Sequence, residues 1–291
     1  QMDELATQIQ QAIESVEDPG DSEGAARGEE IDTVLIDTSI WAGDDQAPGW
    51  DPSNVDGGFV APMQPAMLYG GRIGETTGDV PRSHTPALDV AHAVASRIGV
   101  TNVGSGSVEE GAEVIASVES EPFAMRAEQM MKHSDNVMAE AIGREVALGA
   151  GAEASFDGAT KATLRTLNDA SFNTHGVTIH DNSGLSEGNR ITADLLTHII
   201  AEAAAHEPLR EILGYLPVAG GEGTLADRYA DLSGKGFVRA KTGTLTGVSA
   251  LSGTALGDSG TVYAFTFLVN DGDIVGARAT QDAMASLLRE Y

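Results

Sequence analysis

The sequence predicts an α+β fold, on three observations. Three apolar runs near the carboxyl end, Phe237 to Lys241, Val248 to Thr254 and Thr261 to Val269, are joined by Gly-containing turns and read as an antiparallel meander. Ahead of them, between Pro122 and Ala205, apolar residues recur at three- and four-residue steps, the period of helices. A last helical pattern covers Val275 to Leu288. Helices grouped ahead of a mostly antiparallel sheet, rather than alternating with strands, fit an α+β or three-layer domain.

Taken in order, Met2, Leu5, Ile9, Ile13 and Val16 mark an amphipathic first helix. Asp18 to Glu30 is Gly- and acid-rich with little to bury, hence an exposed loop. Thr33 to Ile36 is a short strand candidate, and Trp41 to Gly58 is irregular. Gly74 to Thr85 is a second soft stretch, followed by a helix carrying Leu88, Val90, Ala91, Val94, Ala95 and Ile98. From Pro122 a long helical run begins with proline at a tolerated first position. Ser134, Asp135 and Asn136 interrupt it, because these residue types favour caps and turns over helix interiors, so two helices with a break are expected. Thr160 to Ala170 and Thr192 to Ala205 are further helices, the second with Thr192 as N-cap.

The composition narrows the function. The 291 residues hold 44 Asp+Glu against 17 Lys+Arg, a formal charge of −27. A polyanion or an acidic leaflet would repel such a chain at long range, so no nucleic-acid partner is expected. With no cysteine there is no thiol nucleophile, disulfide or cysteine-ligated metal. The seven histidines show no His-Glu-x-x-His pattern, so neither a metal nor any other cofactor is expected. Apolar stretches fall well short of a membrane span. The polar, acidic start is not a signal peptide, so an exported protein would have lost its signal or carry it outside this chain.

Two tripeptides carry the chemistry: Ser134-Asp135-Asn136 at the inter-helix break, and Lys241-Thr242-Gly243 at the end of a predicted strand. Ser-Asp-Asn and Lys-Thr-Gly, with Ser-x-x-Lys, form the signature set of β-lactamases and penicillin-binding proteins. The chemical sense is direct. Lys241 and the Thr242 hydroxyl attract a substrate carboxylate. Gly243 lets a peptide lie against the strand as an added strand, and the Thr244 backbone can then pair with it.

On these residues the chain resembles the class C penicillin-binding proteins, serine D-alanyl-D-alanine carboxypeptidases and endopeptidases. AEQMMKHSDNVMAEAIGREVA is similar to the family's second motif with its flanking helices. DNSGLSEGNRIT is similar to its Asp-Gly-Ser-Gly-Leu-Ser loop, with Asn182 in place of the usual Gly. LPVAGGEGTLADRY and VRAKTGTLTGVSALSG match the segments leading to and through the third motif, and PGWDPSNVDGGFVAPMQPAMLYGG resembles the end of an accessory insertion. The resemblance implies a penicillin-binding/β-lactamase-like transpeptidase fold. Residues 1–62 would belong to the insertion and its return segment, and residues 63–291 to the carboxy-terminal part of the peptidase domain.

One motif is absent. None of the four lysines has a serine three residues earlier: Gln129, Gly158, Leu232 and Val238 stand there. The expectation is therefore that the chain begins inside the insertion, that nucleophile and general base lie upstream, and that the isolated chain is inactive. The resemblance assigns the remaining roles. Ser134 relays a proton to the leaving amine, and Asn136 holds the acyl-side carbonyl. Lys241 and Thr242 bind the terminal carboxylate, Gly243 admits the peptide, and the Thr244 N–H is one oxyanion donor. Asp181 and Ser183 brace the site, or are structural as such loops more often are. The implied partners are stem peptides ending in D-Ala-D-Ala, β-lactams as inhibitors and the missing amino-terminal segment; the implied location is the cell envelope.

Other readings compete. A truncated or degenerate member could bind peptidoglycan peptides without cleaving them. Gly184-Leu185-Ser186-Glu187-Gly188 fits the elbow of α/β-hydrolases, after a possible strand at Val177 to Ile179 and with His198 and His206 downstream, but its helix begins only near Thr192. Gly221-x-Gly223-x-x-Ala226 loosely fits a dinucleotide fingerprint, though it reads as a turn before a short helix. His133 reads as an exposed helix-end histidine, and Met125, Met130, Met131 and Met138 as core.

Overall fold

The computed structural model describes residues 1–17 and 31–291, and the loop expected at Asp18 to Glu30 lies outside the described residues. The chain forms two compact units, Gln1–Gln46 with Pro52–Glu121, and Ala47–Asp51 with Pro122–Tyr291. These packing units do not coincide with the division expected after residue 62: the main boundary falls at Glu121, and Ala47–Asp51 belongs to the second unit.

In the first unit, α1 (Met2–Glu17) packs on α3 (Pro86–Ile98). The Arg97 Nε to Asp3 Oδ1 contact of 2.6 Å joins them. β1 (Thr33–Ile36) pairs in parallel with β2 (Asn102–Ser105), and α3 covers both strands. The Asn-Val-Gly-Ser sequence of β2 carries one aliphatic side chain, so no periodicity marked it as a strand. The irregular stretch holds one short helix, α2 (Ser53–Asp56). Near it Arg82 is buried and donates to the carbonyls of Gly58 at 2.9 Å and Gly70 at 2.7 Å.

The second unit holds the chemistry. α4 (Phe123–His133) and α5 (Asn136–Gly149) part at the Ser-Asp-Asn tripeptide, as the residue types predict. α6 (Phe156–Asp169) starts four residues before the expected Thr160, because the Ser155 hydroxyl caps it by accepting the Gly158 N–H at 3.1 Å. α7 (Ala193–Ala205) is capped by Thr192, and a short α8 (Glu211–Tyr215) follows. Met130, Met131 and Met138 are half-buried, whereas Met125 is 47% exposed and does not join a core.

β3 (Val238–Leu245), β4 (Val248–Leu256) and β5 (Val262–Val269) form an antiparallel sheet in the order β3-β4-β5, and α9 (Ile274–Leu287) packs on it. Val238, Ala240, Leu251, Ala255, Phe265 and Ala285 are buried together under α9. β3 runs four residues past its expected end at Lys241. A two-residue turn, Thr246-Gly247, joins Leu245 to Val248, and Gly247 takes a left-handed φ of 73°. Lys-Thr-Gly therefore lies within an edge strand.

Candidate active site

Ser134 ends α4 in the left-handed region, φ 56° and ψ 46°, which is uncommon for a non-glycine residue and turns its side chain away from the helix path. The next residue, Asp135, starts α5 by accepting the Met138 N–H at 3.0 Å, and Asn136 is the first residue of that helix. The tripeptide is thus one turn with three tasks: reversal, capping and presentation. His133 beside it is exposed, as expected of a helix-end histidine.

The segment from Leu216 to Ala226 connects this turn to β3. The Lys132 ammonium holds Glu128 at 2.7 Å and Glu222 at 2.9 Å, and both contacts raise its pKa. Gly223 sits at φ +58°, and a Cβ there would lie 2.4 Å from the Lys132 carbonyl oxygen, so the approach requires glycine. The Ala219 N–H donates to the Val238 carbonyl at 2.9 Å, and the Ala240 N–H to the Pro217 carbonyl at 3.0 Å. Even-numbered residues of β3 therefore turn their main chain toward the edge, away from β4. By the two-residue period, the N–H and C=O of Thr242 and Thr244 face that edge too.

The two tripeptides meet. Lys241 Nζ donates to Ser134 Oγ at 2.7 Å across 107 residues of sequence, and to the Thr242 carbonyl at 2.7 Å. Desolvation pushes the Lys241 ammonium down to about 8. A protonated lysine only donates, so Ser134 accepts from it and keeps its own hydroxyl proton available for transfer. Thr242 Oγ1 donates to Thr224 Oγ1 at 2.9 Å, and Thr244 Oγ1 accepts from Arg278 Nη2 at 2.8 Å. Gly243 lies opposite Ala250; a Cβ on it would come within 3.3 Å of the Ala250 Cβ, tight but not prohibitive.

The Asp181-to-Ser186 loop is built differently from the site. Asp181 is buried and accepts from the Trp50 indole at 2.9 Å, the N–H groups of Gly184 at 2.9 Å and Ser186 at 2.6 Å, and the Asn189 amide at 2.7 Å. Glu140, one turn along α5 from Asn136, accepts the N–H groups of Asn182 at 2.9 Å and Ser183 at 2.8 Å. Burial, with the Asp181 charge second, pushes Glu140 up to about 7. Arg144 lies 3.7 Å from Glu140 and stacks on Phe156, 4.1 Å from the ring centroid. A Cβ on Gly143 would come 2.5 Å from Asn182 Nδ2, so glycine there allows the loop to close on α5. Asp181 thus ties the loop together from within, and the N–H groups of Asn182 and Ser183 fasten it to the helix that presents Asn136.

This placement does not suit the competing motifs. Ser186 is 4% exposed, its Oγ accepts the Gly188 N–H at 3.2 Å, and α7 starts only at Ala193, so there is no nucleophile elbow. Val177 to Ile179 is no strand; only Thr178 forms a bridge, with Arg190. Gly223–Leu225 is a single 3₁₀ turn with no strand running into it, which removes the dinucleotide reading. Among the described residues no group of three His, Asp or Glu is placed to hold a metal, and no described helix is long and apolar enough to cross a membrane.

Thr224, Glu140 and Arg278 escaped the sequence reading. Glu140 had a signal, an acidic residue at an inward position of α5. Thr224 and Arg278 had none, because a threonine in a turn and an arginine in a terminal helix are ordinary surface residues until the fold places them beside Thr242 and Thr244.

Comparisons with known proteins agree with this architecture. Carboxypeptidase DacB of Mycolicibacterium smegmatis is 45% identical over 275 residues, covering 91% of this chain and 59% of its own length. A D-alanyl-D-alanine carboxypeptidase of Actinomadura is 35% identical over 243 residues, covering 74% of this chain and 44% of its own length. The chain thus spans about three fifths or less of these relatives. The crystal structure of penicillin binding protein 4 (dacB) from Haemophilus influenzae superposes with a TM-score of 0.74 at 19% identity, covering 89% of this chain and 75% of that one, which shows the shared penicillin-binding fold. The D-Ala-D-Ala carboxypeptidase 3 (S13) family profile matches residues 26–97 and 74–291. With nearly the whole chain matched by that profile, the protein belongs to the D-Ala-D-Ala carboxypeptidase 3 (S13) family.

Proposed function

We propose that this chain supplies the Ser-Asp-Asn and Lys-Thr-Gly parts of a serine D-alanyl-D-alanine carboxypeptidase/endopeptidase site that trims or cleaves peptidoglycan stem peptides through an acyl-enzyme. The single observation that carries the proposal is the 2.7 Å contact of Lys241 Nζ with Ser134 Oγ. It joins two motifs that the family uses together, at the open edge of β3.

A peptide added along that edge pairs with the main chain of Thr242 and Thr244, its carboxylate drawn to Lys241 and the Thr242 hydroxyl. The nucleophile is a serine of a Ser-x-x-Lys motif not found in these 291 residues. Its oxygen bonds to the carbonyl carbon between the two D-alanines, and its proton passes to a base. The Thr244 N–H stabilises the oxyanion, and Asn136 holds the acyl-side carbonyl. Collapse breaks the C–N bond while the Ser134 hydroxyl relays a proton to the departing amine, releasing D-alanine. Water then frees the acyl group. A β-lactam follows the same first step. One Haemophilus influenzae penicillin binding protein 4 structure holds a β-lactam, which supports a β-lactam partner here. Action on peptidoglycan puts the protein in the cell envelope. Asp181 and Ser183 are proposed to act through the loop they fasten, not on substrate.

The test is fluorescent-penicillin labelling with intact mass. The verified gene product should form a stable adduct, and Ser134→Ala should slow its formation by about a hundredfold, in the range of a lost general acid–base group. The isolated 291 residues should form none. A gene product without an adduct would defeat the enzyme reading in favour of a peptide-binding envelope protein, and an adduct on the isolated chain would show a nucleophile within it.

A further inference from the structure

We propose that Arg278 is a second cationic anchor for the carboxylate of a peptide lying on the β3 edge, and that it makes the site selective for a free carboxyl terminus over an amidated one. The inference rests on the reading above for the identity of the peptide. The geometry that carries it lies at Thr244.

Side chains alternate across β3. Thr244 shares the α9 face with Val238 and Ala240, which pack under α9, and Lys241 belongs to the opposite face. Arg278 reaches Thr244 Oγ1 from α9 at 2.8 Å, while Lys241 reaches Ser134 Oγ from α4. The edge is therefore bracketed by two cations, one on each face of the strand. Among the described residues Lys241 and Arg278 contact hydroxyl and carbonyl oxygens and pair with none of the chain's 44 acidic residues.

The acids on the arginine's own helix are already engaged. Asp282, one turn along, is held bidentately by Arg228 at 2.6 and 3.0 Å, and Arg228 also donates to the Arg278 carbonyl at 3.4 Å. Asp273 caps α9 through the N–H groups of Val275 at 3.3 Å and Gly276 at 2.8 Å. Arg278 is exposed, and its contact with Thr244 uses one of five guanidinium N–H donors. Because arginine only donates, the Thr244 hydroxyl accepts from it and directs its own proton elsewhere. A carboxylate at this edge thus meets the Thr244 O–H and a guanidinium fork suited to two parallel hydrogen bonds, while the Thr244 N–H stays with the oxyanion. An amide in that place offers neither the charge nor the second acceptor oxygen.

The test titrates the 291-residue chain with acetyl-D-alanyl-D-alanine and with its carboxamide, read by ligand-observed NMR. The unsubstituted chain should favour the acid. Arg278→Gln should weaken acid binding about fivefold to tenfold and leave the amide unchanged, as expected for loss of one charge-assisted contact, and Arg278→Lys should recover part of the loss. An equal loss on both ligands, an unchanged acid-to-amide ratio, or no peptide binding by the unsubstituted chain would each overturn the anchor. Penicillin labelling of the gene product reports on the peptidase reading separately, so the two ideas fail independently.

Discussion

On the proposed reading, Lys241 serves binding at a cost to stability. Lys241 is half-buried, its ammonium held between Ser134 Oγ and the Thr242 carbonyl, and desolvation lowers its pKa from 10.5 to about 8. Between pH 8 and 10.5 the unfolded chain keeps a proton that the folded chain has released, so this group's contribution to stability rises with pH across that window. Binding has the opposite sign, since a carboxylate needs the charged form. Affinity for acetyl-D-alanyl-D-alanine should be level up to about pH 7 and fall through pH 8. Lys241→Met should remove that pH dependence and most of the affinity, yet leave the urea midpoint at pH 7 equal or higher. Peptide titrations and urea melts across pH 6 to 10 check both halves; a lower midpoint would mean that Lys241 is structural.

At the scale of elements, the turn between α4 and α5 does more than connect them. Asp135 starts α5 directly after the left-handed Ser134. Asp135→Ala should cost about 1 kcal/mol in stability, the usual worth of an N-cap. It should also lower penicillin labelling by more than that loss explains, because Ser134 then leaves its position next to Lys241. Labelling rate and melting temperature, measured on the same samples, separate the two effects; parallel losses would reduce the turn to a cap. This element was legible in the sequence because Ser, Asp and Asn have strong local preferences that resist helix interiors. The capped start of α7 and the β3-β4-β5 meander were legible for the same reason, each set by local pattern and turn chemistry. The parallel β1-β2 pair was not, because Asn102–Ser105 becomes a strand only through its partner and the α3 packed over it. The true end of β3 was missed because Lys-Thr-Gly-Thr lacks the apolar alternation of a strand and is held by its register with β4. Of the site, Ser134, Lys241 and Thr242 could be named in advance, whereas Thr224 and Arg278 required three-dimensional proximity.

For the whole molecule the dominant property is charge. On the proposed reading, a chain whose 291 residues carry −27 receives a ligand that is itself an anion, so the long-range field opposes encounter while Lys241 and Arg278 favour the final contact. These two ranges respond differently to salt. Repulsion from acidic residues spread over the surface extends tens of ångströms at low ionic strength and contracts to about 10 Å at 0.1 M. Contacts made at hydrogen-bond distance in a partly desolvated edge are screened far less. Added salt should therefore raise the second-order rate of penicillin acylation of the gene product, by about threefold between 10 and 150 mM NaCl, because anion and protein meet more often. The rate should level off once the field is screened. A neutral peptide ester should show no such rise, which separates an electrostatic encounter effect from a general effect of salt on the fold. If the penicillin rate instead falls steadily with salt, local attraction at the β3 edge outweighs the acidic surface even at long range, and the net charge does not govern access to the site.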